Sequence, residues 1–270
     1  MRPLIRLVLR MAGILSLLVY TPLWYLLEHW RGGGKGVSPR GRWSRGVLRA
    51  ATRLSGCRVR ATGPVPSGGL LVANHVSYLD VCVIGGLVPC SFVAKSEVRS
   101  WPAVGWLAAK GGAIFVRRAD RTGAAAQMME LRDALRAGET VVLFPEGTSS
   151  DGRQVLPFAS TLLQAALEAG VPVTPLAVRY HVAPPADAAT DVCWWGDMKI
   201  APHLLRLWSL PRTEASVFFG MSRMMTADRK TEAHRLQQDV AALALLPAVR
   251  SGRPATSFRA AASSGRFESR

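Results

Sequence analysis

The 270-residue sequence predicts an α/β fold, a largely parallel central sheet flanked by helices, behind an N-terminal membrane-associated helical segment. Three observations predict it. From about residue 58, short apolar runs alternate with stretches of helical periodicity, the pattern of βαβ units. The polar residues suited to chemistry follow directly on apolar runs, where open α/β sheets collect binding and catalytic groups. Residues 11–27 carry no charge and close on an aromatic cluster, Tyr20, Trp24, Tyr25 and Trp30.

In chain order, the uncharged run is at the short limit for a bilayer span, which takes about 17–25 apolar helical residues. Pro22 predicts a kink there, allowing a bent or re-entrant segment. Arg2, Arg6 and Arg10 precede the run, but Glu28–Gly32 offers no small-x-small cleavage site. Arg31, Lys35, Arg40, Arg42, Arg45 and Arg49 follow it and outnumber the upstream arginines. The positive-inside bias then places the chain at the inner (cytoplasmic) membrane with the domain that follows facing the cytoplasm. Gly32–Gly36 reads as a flexible connector. Residues 43–55 read as a basic amphipathic helix, Trp43, Val47, Leu48, Ala51 and Leu54 on one side and Arg42, Arg45, Arg49 and Arg53 toward lipid headgroups. A solvated basic face fits the same pattern.

Strands are expected at 69–73, 90–94, 113–116, 140–144, 173–179 and 215–220, and helices at 78–87, 101–110, 122–137, 160–169 and 228–246. Met128, Leu131 and Leu135 form one core stripe; Ala233, Leu236, Val240 and Leu243 form another. Residues 251–270, rich in Ser, Ala, Gly and Arg, read as a disordered basic tail. The resulting division is 1–55 for the anchoring segment, 56–250 for the α/β domain and 251–270 for the tail.

A hydrophobic fraction of 49% can fill a large core and excludes disorder for most of the length. The formal charge of +16 calls for an anionic partner. With no zinc spacing, aromatic RNA-binding signature or uninterrupted basic recognition helix, membrane anionic lipids fit and nucleic acid does not. Cys57, Cys82, Cys90 and Cys193 have no paired spacing, as in a reducing compartment. No metal ligand set is visible.

Four clusters carry the chemistry. Asn74-His75-Val76-Ser77-Tyr78-Leu79-Asp80 follows the strand at 69–73. A histidine and a carboxylate five positions apart can meet across a strand-to-helix turn, leaving the second ring nitrogen free as a general base. Gly112-Ala113-Ile114-Phe115-Val116-Arg117-Arg118 delivers two anion-binding guanidinium groups to a strand end, unless they pair with Asp120. Phe144-Pro145-Glu146-Gly147-Thr148 places Glu146 in a rigid turn, where it can hold a substrate hydroxyl or cap the next element. Val171-Pro172-Val173-Thr174-Pro175 shapes a strand entry or walls a pocket.

In this order the clusters resemble the four sequence blocks of the glycerolipid acyltransferase family, which includes the bacterial 1-acylglycerol-3-phosphate acyltransferases. The similarity covers roughly residues 60–225. It implies a glycerol-3-phosphate acyltransferase-like fold and a membrane-bound O-acyltransferase that moves a fatty acyl chain from acyl-carrier protein or acyl-CoA to a lysolipid hydroxyl. It implies His75 as base and Asp80 as its orienting carboxylate. Asn74, Phe115, Arg118, Glu146, Gly147 and Thr148 would contact substrate, with Lys95 as a further anion contact. No cofactor is implied beyond the thioester donor. The absence of a Gly-x-Ser-x-Gly elbow argues against a lipase or thioesterase.

One departure bears on the acceptor. The family's third block commonly continues with Arg, whereas here Thr148 precedes Ser149-Ser150-Asp151-Gly152-Arg153. Val155–Phe158, Trp194–Met198 and Pro202-His203 look like the branch of lyso-ornithine lipid acyltransferases, whose acceptor is a zwitterionic aminolipid without phosphate. Arg153 can stand in for the missing side chain. Family breadth puts 1-acylglycerol-3-phosphate first, giving phosphatidic acid, with lyso-ornithine lipid as the alternative and a non-catalytic lipid-binding protein as a remote third.

Overall fold

The computed structural model describes residues 2–32, 37–117 and 124–247. The expected tail, Gly33–Gly36 of the connector, and Arg118 lie outside the described residues. The chain begins with two helices, α1 (Pro3–Trp30) and α2 (Pro39–Leu54). α1 runs unbroken through Pro22. α2 starts where the Ser38 hydroxyl accepts from the Gly41 N–H and Pro39 supplies a preset φ. Beyond them lie β1 (Cys57–Thr62), β2 (Gly69–Ala73), α3 (Leu79–Leu87), β3 (Ser91–Lys95), a 3₁₀ turn (Ser96–Ser100), α4 (Val104–Lys110) and β4 (Ile114–Val116). The second half comprises α5 (Ala124–Arg136), β5 (Thr140–Leu143), α6 (Leu163–Ala169), β6 (Val173–Val182), α7 (Ala188–Asp191), α8 (Ile200–Ser209), β7 (Thr213–Phe219) and α9 (Arg229–Leu245).

The sheet has strand order β1-β7-β6-β2-β5-β3-β4, and every neighbouring pair is parallel except β6–β7. The central strands β2 and β5 are buried at every position, as expected for strands covered on both faces. One core lies under α3 and α8, with Leu71, Ile84, Val142, Leu176, Val178 and Leu207. The other lies under α5, α6 and α9, with Leu70, Leu131, Leu135, Val141, Leu163 and Leu236. Both sequence-predicted helical stripes therefore face the sheet. β2, β3, β4, β5 and β6 point the same way, so their carboxyl ends share one edge. Val72 pairs with Leu143, and each stands three residues ahead of His75 and Glu146 respectively. Register alone brings two of the four sequence blocks to one level.

The structure changes several expectations. β1, α7 and α8 were not anticipated. β1 is an edge strand paired only with β7, and its residues are mostly half-exposed, so it lacks a buried strand's apolar run. α8 carries Pro202 within its first turn, where a missing N–H costs nothing. α2 is not a free amphipathic surface helix. Trp43, Ser44, Val47 and Thr52 are buried, and α3 comes so close that a Cβ on Gly85 would sit 2.3 Å from Leu48. Its Arg42 side chain reaches Glu28 and the Val37 and Gly32 carbonyls rather than a headgroup, while Arg49 and Arg53 remain exposed. α2 is thus packed between α1 and α3. All four cysteines are free, and burial raises every thiol, which leaves them inert.

Candidate active site

The loop between β2 and α3 is built around one carboxylate. Asp80 lies in the first turn of α3 and is fully buried. Its Oδ2 accepts from the Val76 and Ser77 N–H groups at 2.8 and 2.9 Å, closing the helix start in place of a conventional cap. The same oxygen accepts from His75 Nδ1–H at 2.8 Å. Because a carboxylate only accepts, the proton sits on Nδ1 and Nε2 presents its lone pair. His75 is about one-fifth exposed, so Nε2 can meet a substrate. Phe144 stacks on the imidazole at 4.2 Å and fixes its plane from the other face. The remaining Asp80 oxygen, Oδ1, accepts from the Tyr180 hydroxyl at 2.7 Å.

Glu146 occupies the turn that follows β5. Gly147 N–H donates to the Phe144 carbonyl at 3.1 Å, and Gly147 adopts φ +72°, a conformation only glycine takes freely. This aims Glu146 back at the His75 loop, where Oε1 accepts from the His75 N–H at 3.1 Å. Among the described residues Oε2 is buried without a hydrogen-bond partner. Burial pushes the Glu146 carboxyl up to about 8, against the lowering effect of the His75 and Leu156 N–H groups. The native carboxyl therefore keeps a proton that the unfolded chain loses near its ordinary value of 4.5. Stability accordingly falls as pH rises from that value toward about 8. Glu146→Gln removes the titrating group but keeps the acceptor for His75. Its melting temperature should exceed that of the parent at pH 8 and change less between pH 5 and 8; thermal melts across that range check it, and an unaltered slope would refute it.

The other predicted contacts separate. Asn74 is buried, and its amide both donates to the Val178 carbonyl (3.0 Å) and accepts from the Val178 N–H (2.8 Å). It clasps the loop to β6 through one donor and one acceptor of its amide. Gly147 and Thr148 border Glu146, with Thr148 exposed. Lys95 ends β3 at the shared carboxyl edge and is exposed. Phe115 lies on β4, three strand spacings or about 14 Å from β2, with the Arg99 guanidinium 5.3 Å above its ring. Arg153, which follows the Ser149 position, is exposed and faces Asp151 at 3.5 Å.

On the far side of the loop, the Ser150 N–H donates to the His75 carbonyl and the Trp194 N–H to the Val76 carbonyl. Tyr78 donates to His203 Nδ1 at 2.8 Å, because His203 Nε2–H is committed to the Cys193 carbonyl at 2.9 Å. These contacts tie the segments at 150 and 193–203 to the β2–α3 loop. Sequence reasoning missed Tyr180 and gave Phe144 and His203, though quoted within its motifs, no place beside His75 and Tyr78. The alternation Leu176, Val178, Tyr180, which puts one polar tip on the α3 face of β6, was the available signal.

The acyltransferase family profile matches residues 57–179. The chain is 37% identical to a lyso-ornithine lipid O-acyltransferase of Brucella abortus (strain 2308), over 88% of this chain and 94% of that protein. It belongs to the acyltransferase family. This acyltransferase is also 36% identical to a 1-acyl-sn-glycerol-3-phosphate acyltransferase of Neisseria meningitidis serogroup B, over 56% of this chain and 62% of that protein. Its fold matches the crystal structure of the 1-acyl-sn-glycerophosphate (LPA) acyltransferase PlsC from Thermotoga maritima, with a TM-score of 0.67 over 90% of this chain, 96% of that one and 21% identity. The protein is thus an acyltransferase of the lysolipid type, an enzyme that takes a lysolipid acceptor and an acyl donor.

Proposed function

We propose that this acyltransferase is a membrane-bound lyso-ornithine lipid O-acyltransferase using an acyl-carrier-protein or CoA thioester. The observation that carries the reaction is the free Nε2 of a histidine whose Nδ1–H is held by a buried carboxylate. Nε2 takes the proton of the acceptor hydroxyl as its oxygen bonds to the thioester carbonyl carbon. The tetrahedral adduct collapses, the C–S bond breaks, and the thiolate leaves with the proton from the imidazolium. Asp80 supports the transient positive charge throughout. Neutral Glu146 beside it offers an O–H donor to an acceptor oxygen.

The acceptor assignment reverses the order drawn from family breadth. It is supported by likeness along nearly the whole length of the Brucella relative, by Ser149 where a phosphate-binding Arg is common, and by Arg153 turned to Asp151. The 1-acylglycerol-3-phosphate reading remains second, favoured by the Neisseria relative.

The membrane reading concerns α1. Its outer stripe of Leu4, Val8, Leu15, Val19, Leu26 and Trp30 is exposed. Yet Arg10 and Arg6 at one end donate to the Trp208, Ser209, Leu210 and Pro211 carbonyls closing α8, and Glu28 at the other pairs with Arg42. A 28-residue helix, about 42 Å long, is thus held at both ends along one protein body. That arrangement fits a helix lying in the membrane plane with its apolar stripe in the lipid, rather than one crossing it. The domain would then face the cytoplasm at the inner membrane, next to its thioester donor.

The test is an acceptor panel with purified enzyme on anionic vesicles, acyl-carrier donor and either lyso-ornithine lipid or lysophosphatidate. Lyso-ornithine lipid should be preferred at least tenfold in kcat/KM. Preference for lysophosphatidate would overturn the acceptor assignment, and turnover of neither would overturn the activity. Co-sedimentation of the same samples should persist at high salt, since apolar insertion is not screened; release by salt would refute the lipid-embedded α1.

A further inference from the structure

The Asp80 carboxylate has two unequal ends. Oδ2 takes three N–H donors, from His75, Val76 and Ser77. Oδ1 faces β6, and the contact there is the Tyr180 hydroxyl at 2.7 Å. β6 is the longest strand, and it runs past the end of β2: Ala73 pairs with Leu176, four residues before Tyr180. The strand's extra length thus lays a phenol under the catalytic loop. The ring is buried in the core on the α3 side of the sheet. Burial and the neighbouring Asp80 charge hold the phenol well above its ordinary range, so it remains a donor wherever the enzyme works.

We propose that Tyr180 is a positioning residue for acyl transfer, its hydroxyl pinning Asp80 Oδ1 so that Oδ2 stays aimed at His75 Nδ1. Two physical effects follow. A carboxylate turns about its Cβ–Cγ bond, and a second anchored oxygen stops that rotation. The O–H dipole, positive end toward Asp80, also draws off part of the carboxylate's charge. Without it, more of that charge bears on the imidazole, which then releases a bound proton only at higher pH. The free base at Nε2 becomes scarcer at neutral pH.

The proposal rests on His75 as base, and the experiment separates the two. In Tyr180→Phe, which keeps the ring and deletes only the hydroxyl, kcat should fall about tenfold, the scale for a hydrogen bond to a charged group. KM should stay within twofold, and the acidic limb of the kcat–pH profile should move to higher pH. Replacing Tyr180 with 3-fluorotyrosine, a stronger donor of nearly the same shape, should move that limb to lower pH; this variant decides the case if the Phe variant does not fold. A merely structural role would lower the melting temperature and leave both limbs in place. Unmoved limbs with kcat within twofold would overturn the assignment for Tyr180 alone, whereas full activity in His75→Gln would overturn the base itself.

Discussion

His75→Gln should lower kcat by about 10²–10⁴ while leaving the fold intact, the usual worth of a positioned proton acceptor. Glutamine keeps a polar side chain of similar reach, and its N–H₂ can still donate to Asp80 Oδ2. The carboxylate is therefore not left uncompensated in the core, and the melting temperature should change little. What is lost is the basic Nε2, which no neighbouring group replaces: Glu146 binds the His75 backbone through Oε1 and is itself held neutral by burial. Steady-state kinetics on the preferred lysolipid, beside a thermal melt, check this. A folded His75→Gln enzyme with kcat within threefold of the parent would end the proton-transfer mechanism.

Asp80→Asn should cost of order 10³–10⁴ in kcat, the scale seen when the carboxylate of a hydrolase triad is made an amide. The amide oxygen can still take the Val76 and Ser77 N–H groups, and its nitrogen can face the Tyr180 oxygen. Hence the loop should close much as before. The imidazolium formed during transfer, however, loses its counter-charge in a buried setting, where such a charge counts most. Asp80→Ala differs in kind. It orphans two buried N–H groups and a buried hydroxyl together, so it should lower stability by several kcal/mol. An Asn variant with near-parental kcat would show that Asp80 only shapes the loop.

The two substitutions also mark how far the site was legible in the chain. His75 and Asp80 stand five residues apart beside a buried strand, so local geometry nearly dictates their meeting. Glu146 was legible as a turn residue, because Pro145 and Gly147 leave little choice of conformation. Its neutral state was not, since that depends on which groups the fold stacks over it. Asn74 shows the opposite case: no local pattern announces its clasp, because its partner Val178 lies on β6, which only the fold brings alongside. Phe115 belongs to the sequence signature but stands three strands from β2.

The sequence by itself determined the class of fold, the core stripes of α5 and α9, the apolar N-terminal helix and the meeting of His75 with Asp80. Each is written in local periodicity or short spacing, and local patterns survive without knowledge of their neighbours. Only the tertiary structure decided that α1 is held at both ends against the domain, that α2 is sandwiched rather than free, and that Tyr180 completes the shell of Asp80. Those facts depend on contacts between residues 14 to about 200 positions apart. Strand register and helix docking set such contacts, and no window along the chain contains both partners.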